Sequence, residues 1–439
     1  MPAAFPPAHG RPLRSAARPV LLLQGPVGPF FDHLASAFMA AGHSVDRVRL
    51  NAGDRLFVGR ARSRGRDGAP LYRALNYQQG PEAFMPWLRG LCWRNHYAAI
   101  VLFGGERPCH AMARQVAAEF GIPVIALEEG YVRSGYVTVE RGGNNARSPL
   151  VGRRPPAMPP AAPPPLPAHG FRWMLWYAFL AFTWRNAASW PIERRFNHKK
   201  RGTIPEGYYW FRNAWRRYTG YGDSVERVMG LASFDLVPLQ VADDAQLGEA
   251  ADGWTNASLI AECIESLARC APRERHLVFK LHPMERGHSR DLRLVRALAR
   301  RWGVSARVHC VAMGSLAALT QEARGMITIN STSGMTALAT GRPLLVLGRA
   351  VYRHPELAQC GTGPASIDRF WTNDWRTDPA YVERFTRWLT AEALVPGDYY
   401  DPAVARSTAR AVVDRVKALA TERVAIAPLR TIGTARRAI

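Results

Sequence analysis

The stretch Ala98-Ala-Ile-Val-Leu-Phe103, then Ala111-Met-Ala-Arg-Gln-Val-Ala-Ala-Glu-Phe120, then Ile122-Pro-Val-Ile-Ala-Leu127 decides the fold. Both apolar runs are short, continuous and bounded by glycine or proline, as strands buried on both faces are. Between them the apolar residues recur at a helical spacing, and Gly121 with Pro123 closes that helix. Strand, helix, strand in that order predicts a parallel sheet with helices on both faces.

Working outward, the same pattern runs back to apolar runs at 45–50 and 20–23, with a helical period over 30–41. It restarts after residue 230, with strands expected at 234–241, 276–281, 307–311, 326–329 and 343–347 and helices at 258–269 and 292–301. The expected class is therefore α/β, with two Rossmann-like halves. In open sheets of this kind ligands bind beyond the carboxyl ends of the strands, so chemistry is sought in the loops that follow them.

Composition narrows the field. The chain has 439 residues, 47% of them hydrophobic and 10% aromatic, which excludes a disordered chain and a single small binding module. Its 58 Lys+Arg against 35 Asp+Glu give +23, a charge suited to a polyanion or an anionic bilayer. Six scattered cysteines form no CxxC pair, so neither a disulfide framework nor a structural zinc site is expected. Residues 1–18 are rich in Pro, Ala and Arg without an apolar signal core, and are expected to be a disordered leader. The remaining divisions expected are 19–150 for an N-terminal acceptor domain, 151–225 for an insertion, 226–375 for a C-terminal nucleotide-sugar domain, and 376–439 for C-terminal helices and a tail.

The insertion has the most unusual composition. Residues 153–168 contain eight prolines and should be extended. Residues 171–221 then hold six of the 13 tryptophans, among them Trp173 and Trp176, interleaved with a basic cluster that includes Lys199, Lys200 and Arg201. The apolar run at 173–184 is too short to span a bilayer and suits an interfacial helix, with aromatics at the headgroup level beside basic residues. An inter-domain core helix is the plainer alternative, but it leaves the cationic cluster without a purpose. Single-stranded nucleic acid would also suit aromatics and Arg, yet no RNP, KH or zinc-finger pattern accompanies them, so no nucleic-acid partner is expected.

Four strand ends carry the candidate chemistry. Glu128 and Glu129 close the strand at 122–127; they point to opposite sides, so one can face a cleft as a general base. Lys280, His282 and Pro283 close the next candidate, where Pro283 holds His282 extended at the sheet edge. Asn330, Ser331, Thr332 and Ser333 lead into a helix start, a place for a phosphate or a sugar carboxylate. Gln240, Asp243 and Asp244 follow the strand at 234–241, and their acids either supply a nucleophile or cap the next element. No DxD triplet is present, so no metal is expected. The turn from Gln24 through Gly25 and Gly28 lacks GxGxxG and GxxxxGK[ST], and reads as a tight turn leading acceptor groups into the cleft.

These residues, taken in order, resemble the KpsS/LipB family of capsular polysaccharide proteins of Gram-negative bacteria. The matching blocks include Leu23-Gln-Gly-Pro-Val-Gly-Pro-Phe-Phe31, Gly53-Asp-Arg-Leu-Phe57, Leu102-Phe-Gly104 with Arg107-Pro108, Glu128-Glu-Gly-Tyr-Val-Arg133, Glu140-Arg-Gly-Gly-Asn144, Phe279-Lys-Leu-His-Pro-Met-Glu-Arg286 and Asn330-Ser-Thr332. The chain departs from the pattern at Asn51-Ala52-Gly53 and at Cys109, away from the donor-side blocks.

The resemblance implies a GT-B-like enzyme, two Rossmann-like domains facing across a cleft, that transfers Kdo from CMP-Kdo with retention. The acceptor would be an anionic phospholipid of the phosphatidylglycerol type, at the inner face of the cytoplasmic membrane. It implies Glu128 or Glu129 as acid/base, Asp244 as nucleophile, and His282 at the leaving phosphate. Gln240, Lys280, Pro283, Asn330, Ser331, Thr332 and Ser333 would hold the donor, with Gly25, Gly28 and Arg133 on the acceptor side. It implies no cofactor, and other capsule synthesis or export proteins as partners. Two alternatives stay open: a non-catalytic adaptor coupling capsule synthesis to export, and a transferase using another nucleotide sugar.

Overall fold

The computed structural model describes residues 18–57, 71–132, 135–189, 191–196, 203–241, 248–283, 285, 289–372 and 375–421. Two sheets form its frame. In the first, β1 (Val20–Leu22), β2 (Val45–Arg49), β3 (Tyr72–Asn76), β4 (Ala99–Phe103) and β5 (Val124–Glu129) run parallel in the spatial order β3-β2-β1-β4-β5. β6 (Tyr136–Arg141) then lies antiparallel to β5.

The second sheet holds β7 (Phe234–Pro238), β8 (His276–Lys280), β9 (Val308–Val311), β10 (Gly325–Thr328), β11 (Leu344–Val346) and β12 (Gln359–Cys360). All six are parallel, in the order β9-β8-β7-β10-β11-β12. Counted within each half, both orders read 3-2-1-4-5, the doubly wound arrangement. The expected α/β class with two Rossmann-like halves is therefore what the chain forms.

Helices cover both faces of each sheet. α1 (Phe30–Ala40) and α2 (Ala52–Leu56) follow β1 and β2, α3 (Phe84–Asn95) follows β3, and α4 (Pro108–Glu119) joins β4 to β5. The insertion supplies α5 (Gly170–Ala188) and α6 (Thr203–Tyr218), and α7 (Val225–Met229) leads into β7. In the second half α8 (Asn256–Cys270), α9 (Asp291–Arg301), α10 (Leu316–Glu322), α11 (Ser333–Ala339) and α12 (Ala365–Phe370) alternate with or follow the strands. α8 starts at a capping box in which the Thr255 and Ser258 side chains exchange bonds with each other's backbone N–H.

Residues 376–421 divide between the halves. α13 (Pro379–Ala393) packs Phe385, Trp388 and Leu389 into the core beneath the second sheet. Then β13 (Leu394–Pro396) joins the first sheet antiparallel to β6, and α14 (Ala405–Thr421) seats Val412, Val413 and Val416 against Leu34 and Phe38 of α1. Tyr399, fully buried, donates to the carbonyl oxygens of Glu128 (3.1 Å) and Thr138 (3.2 Å), fastening the end of β5 to β6.

β3, β6 and β13 are strands without a long apolar run. β3 is an edge strand with no fully buried residue, and β6 buries Thr138 and Glu140 among its apolar residues. Tyr399→Phe removes the hydroxyl from two buried carbonyls and is expected to cost about 1–2 kcal/mol, read as a lower urea midpoint with an unchanged m-value.

Candidate functional site

In a doubly wound sheet the strands on either side of the order reversal send their loops to opposite faces, and a crevice opens between them. Each half has one such crevice: between β1 and β4 in the first, and between β7 and β10 in the second.

The second crevice gathers the donor-side residues named from sequence. Gln240, just beyond β7, donates from Nε2 to Oδ1 of Asn330, just beyond β10, at 3.1 Å. Both are buried, and Gln240 Oε1 has no partner among the described residues. Asn256 pins the loop by bonding both the N–H and the carbonyl of Gln240. His282 leaves β8, the strand next to β7, and is partly exposed, its carbonyl accepting from Glu285 N–H. Lys280 is buried, with Nζ donating to the carbonyls of Leu281 (3.2 Å) and Ala312 (3.4 Å) at the ends of β8 and β9. The Pro283 carbonyl accepts from Asn213 of α6, which docks the insertion on the His-Pro turn.

The three hydroxyls before α11 divide their work. Ser331 Oγ accepts from both the N–H (3.3 Å) and the hydroxyl (2.8 Å) of Ser333, and Ser333 is buried. Thr332 takes the N-cap position without a side-chain cap bond and is partly exposed. Capping thus belongs to Ser331, and Tyr352 packs so closely over Gly334 that a Cβ there would meet its ring at 2.4 Å.

In the first half Glu128 and Glu129 end β5, the first half-buried and the second exposed. Over Gly104, whose φ of +74° carries the chain away from β4, a Cβ would lie 3.5 Å from Arg107 Nε and 3.8 Å from Glu128 Oε2. Arg107 and Glu128 therefore converge at the first crevice. Below them opens a cavity of about 670 Å³ between the β1–α1 turn that holds Gly25 and Gly28, helix α2, and helix α5 of the insertion.

A buried polar chain joins the second crevice to β6 of the first sheet. Asn145, at φ +50°, donates from Nδ2 to the carbonyl of Asn330 (3.1 Å) and accepts at Oδ1 from Val351 N–H (3.1 Å). Its own N–H donates to the Tyr131 hydroxyl, which donates to Glu140 Oε2 at 2.6 Å. Ser148 and Asn144 also donate to Glu140. Burial nonetheless pushes the Glu140 carboxyl up to about 7, the three donors only partly offsetting the lost hydration. Outside this chain Arg147 pairs with Glu106 at 2.8 Å in the first half and Glu249 at 2.6 Å in the second. Sequence reasoning assigned none of these a role, although Glu140 to Asn144 and Arg107 stood within the blocks it quoted.

The insertion shows its aromatics outward. On α5 Trp173 and Trp176 are 37% and 52% exposed, while Met174, Ala178, Ala181 and Arg185 turn inward to the cavity. On α6 Tyr208, Phe211, Trp215 and Tyr218 recur at helical spacing and are all exposed. No helix among the described residues is long and apolar enough to cross a membrane, and no group of three or more metal-ligating side chains occurs among them. Asp243, Asp244, Arg133, Lys199, Lys200 and Arg201 lie outside the described residues.

Comparison with known proteins adds the following. The sequence profile of the capsule polysaccharide biosynthesis proteins matches residues 98–157 and 217–400. The capsule polysaccharide export protein KpsS of Escherichia coli is 32% identical over 394 residues, covering 87% of this chain and 96% of that protein. The capsule polysaccharide modification protein LipB of Neisseria meningitidis serogroup B is 29% identical over 412 residues, covering 88% and 93%. Among solved structures the β-Kdo 2,7 transferase KpsC of Thermosulfurimonas dismutans aligns at a TM-score of 0.43 and 12% identity, over 90% of this chain and 99% of that one.

The Glu140 carboxyl holds its proton more tightly in the folded chain than at its ordinary 4.5, so its contribution to stability falls as pH rises from about 4.5 to about 7. Glu140→Gln keeps the shape and removes the titration. The wild-type unfolding free energy from urea titrations should therefore drop across that window, by on the order of 3 kcal/mol, and the variant should show a flatter profile there.

Proposed function

Because this chain belongs to the capsule polysaccharide biosynthesis protein family, we propose that it is a retaining glycosyltransferase that moves Kdo from CMP-Kdo to an anionic phospholipid acceptor. What supports this is the pairing of the two crevices. A buried amide pair, Gln240 and Asn330, stands at one, and a carboxylate beside a guanidinium, Glu128 and Arg107, stands at the other. The buried Asn145 bridge ties the first to the half that carries the second.

In this reading the nucleotide lies against Gln240, Asn330 and Thr332, and the Gln240 Oε1 left over from the amide pair accepts a donor N–H or hydroxyl. Asp244, which follows β7 in the sequence, attacks the anomeric carbon of Kdo. The bond to the phosphate oxygen breaks, CMP takes the electron pair, and His282 neutralises the leaving phosphate. The acceptor hydroxyl then displaces Asp244 and gives its proton to Glu128 or Glu129. Two inversions at one carbon amount to retention.

In this reading the acceptor side faces a bilayer at the inner face of the cytoplasmic membrane, a location supported by the exposed aromatic rows of α5 and α6 set among Arg212, Arg216 and Arg217. Other capsule synthesis or export proteins are the expected partners there. Each basic residue near an anionic surface contributes about 1 kcal/mol, so replacing Lys199, Lys200 and Arg201 together should weaken vesicle binding strongly. Binding should rise with the anionic lipid fraction and fall with salt; equal binding to neutral vesicles removes the electrostatic part.

Incubation with CMP-Kdo and lysophosphatidylglycerol should release CMP and yield a Kdo-lipid by mass spectrometry. His282→Ala should lower the rate at least about a hundredfold with its melting temperature unchanged. An active Asp244→Ala variant overturns the assignment of the nucleophile. Activity with UDP or GDP sugars instead of CMP-Kdo overturns the donor, and a chain that neither turns over nor gains thermal stability from CMP is an adaptor.

A further inference from the structure

The cavity beside the first crevice has walls of two kinds. Most of it is apolar, with Met174, Ala178, Phe179 and Phe182 on α5 and Phe57 at the end of α2. Its ionisable walls are three arginines, Arg47, Arg107 and Arg185, against a single acid, Asp54, whose carboxylate already accepts from Gln24 Nε2 and Leu50 N–H. Arg47 and Arg185 are buried. Arg47 has Asp32 at 4.0 Å and donates to the Phe57 carbonyl, while the Arg185 guanidinium lies 4.8 Å from the Phe182 ring centre. Arg107 donates to Gln24 Oε1 at 2.8 Å and to the Gly25 carbonyl.

Guanidinium groups lining an apolar chamber, two of them withdrawn from water, attract an anion, and their planar forks match a phosphate or carboxylate. An apolar wall favours an aliphatic chain at about 25 cal/mol for each Å² removed from water. Phe179 lines the cavity and is 60% exposed, so it stands at the mouth, stacked on the exposed Trp176. Two lining glycines pack tightly against α5: a Cβ at Gly28 would meet the Tyr177 ring at 2.7 Å, and one at Gly53 the Ala181 carbonyl at 2.9 Å.

We infer that this cavity binds a single-chain anionic amphiphile, its alkyl chain along α5 and its head against Arg107 and Arg185. The inference deepens the reading above, since it gives the proposed phospholipid acceptor a place in which its head lies next to Glu128. The cavity would admit the ligand from the same side that the aromatic rows present to a bilayer.

Dodecyl phosphate, below its micelle concentration, tests the site without any transfer chemistry, because it carries no acceptor hydroxyl. Calorimetric titration of the full chain should give one saturable site with a negative heat-capacity change. Dodecanoate should bind too if any anionic head suffices, whereas selectivity for the phosphate points to a phospholipid source. Dodecyltrimethylammonium should bind at least about tenfold more weakly, and Arg107→Gln should narrow that gap. Ala178→Trp, which fills the chamber, should weaken dodecyl phosphate at least about tenfold; Ala178→Leu serves if the larger side chain prevents folding. Equal affinity for the phosphate and the ammonium, or an Ala178 variant with unchanged binding, overturns the inference. Binding without Kdo transfer would leave the site standing and remove the transferase reading, whereas transfer by a chain that ignores dodecyl phosphate would do the reverse.

Discussion

The side-chain amide of Asn145 gives a hydrogen bond to the Asn330 carbonyl and takes one from the Val351 N–H, all of it buried where the two halves meet. Buried amides and carbonyls are costly to leave unpaired, so the two halves have one relative placement in which these groups are satisfied. Everything behind Asn145 serves that placement. The left-handed backbone at Asn145 aims the side chain, Tyr131 holds its N–H, and Glu140 gathers Tyr131, Ser148 and Asn144 around one carboxyl. Because Asn330 also carries the amide that pairs with Gln240, fixing the interface fixes the second crevice too.

Around this bridge lies a second connection of a different strength. Arg147 reaches Glu106 and Glu249, and Arg349 extends the chain to Asp252, mostly at partly exposed positions. Such pairs gain little individually and are screened by salt. They guide the halves together, while the buried bonds hold the register.

Much of the frame was legible because a strand covered on both faces must be a continuous apolar run, and those at 20–23, 98–103 and 122–127 are. The positions of Gln240, His282 and Asn330 beyond strand ends were legible for a related reason, since the strands before them are marked by apolar residues and each lies just past one. β6 was not legible, because Thr138 and Glu140 break its apolar pattern: the buried Glu140 is satisfied by Tyr131 and Ser148, and the Thr138 hydroxyl by the Glu129 carbonyl, partners that no local pattern announces. The cavity was not legible either. Its walls come from the β1–α1 turn, α2, the β4 loop and α5, segments that no local pattern connects. The insertion was read correctly as aromatic and basic, but composition could not say that α5 has an inward face of Met174, Ala178 and Arg185 as well as an outward one.

The return of β13 and α14 to the first sheet has a consequence for how the molecule comes into being. Leu394 pairs with Thr138, and Val412 covers a core built around residues from the first forty of the chain. The second half has its strands consecutive in sequence, so its contacts close over short loops. The first half cannot complete its outer layer until α14 has emerged from the ribosome. The half made first is thus finished last, and until then the α1 side of its sheet is bare of the valines that α14 brings.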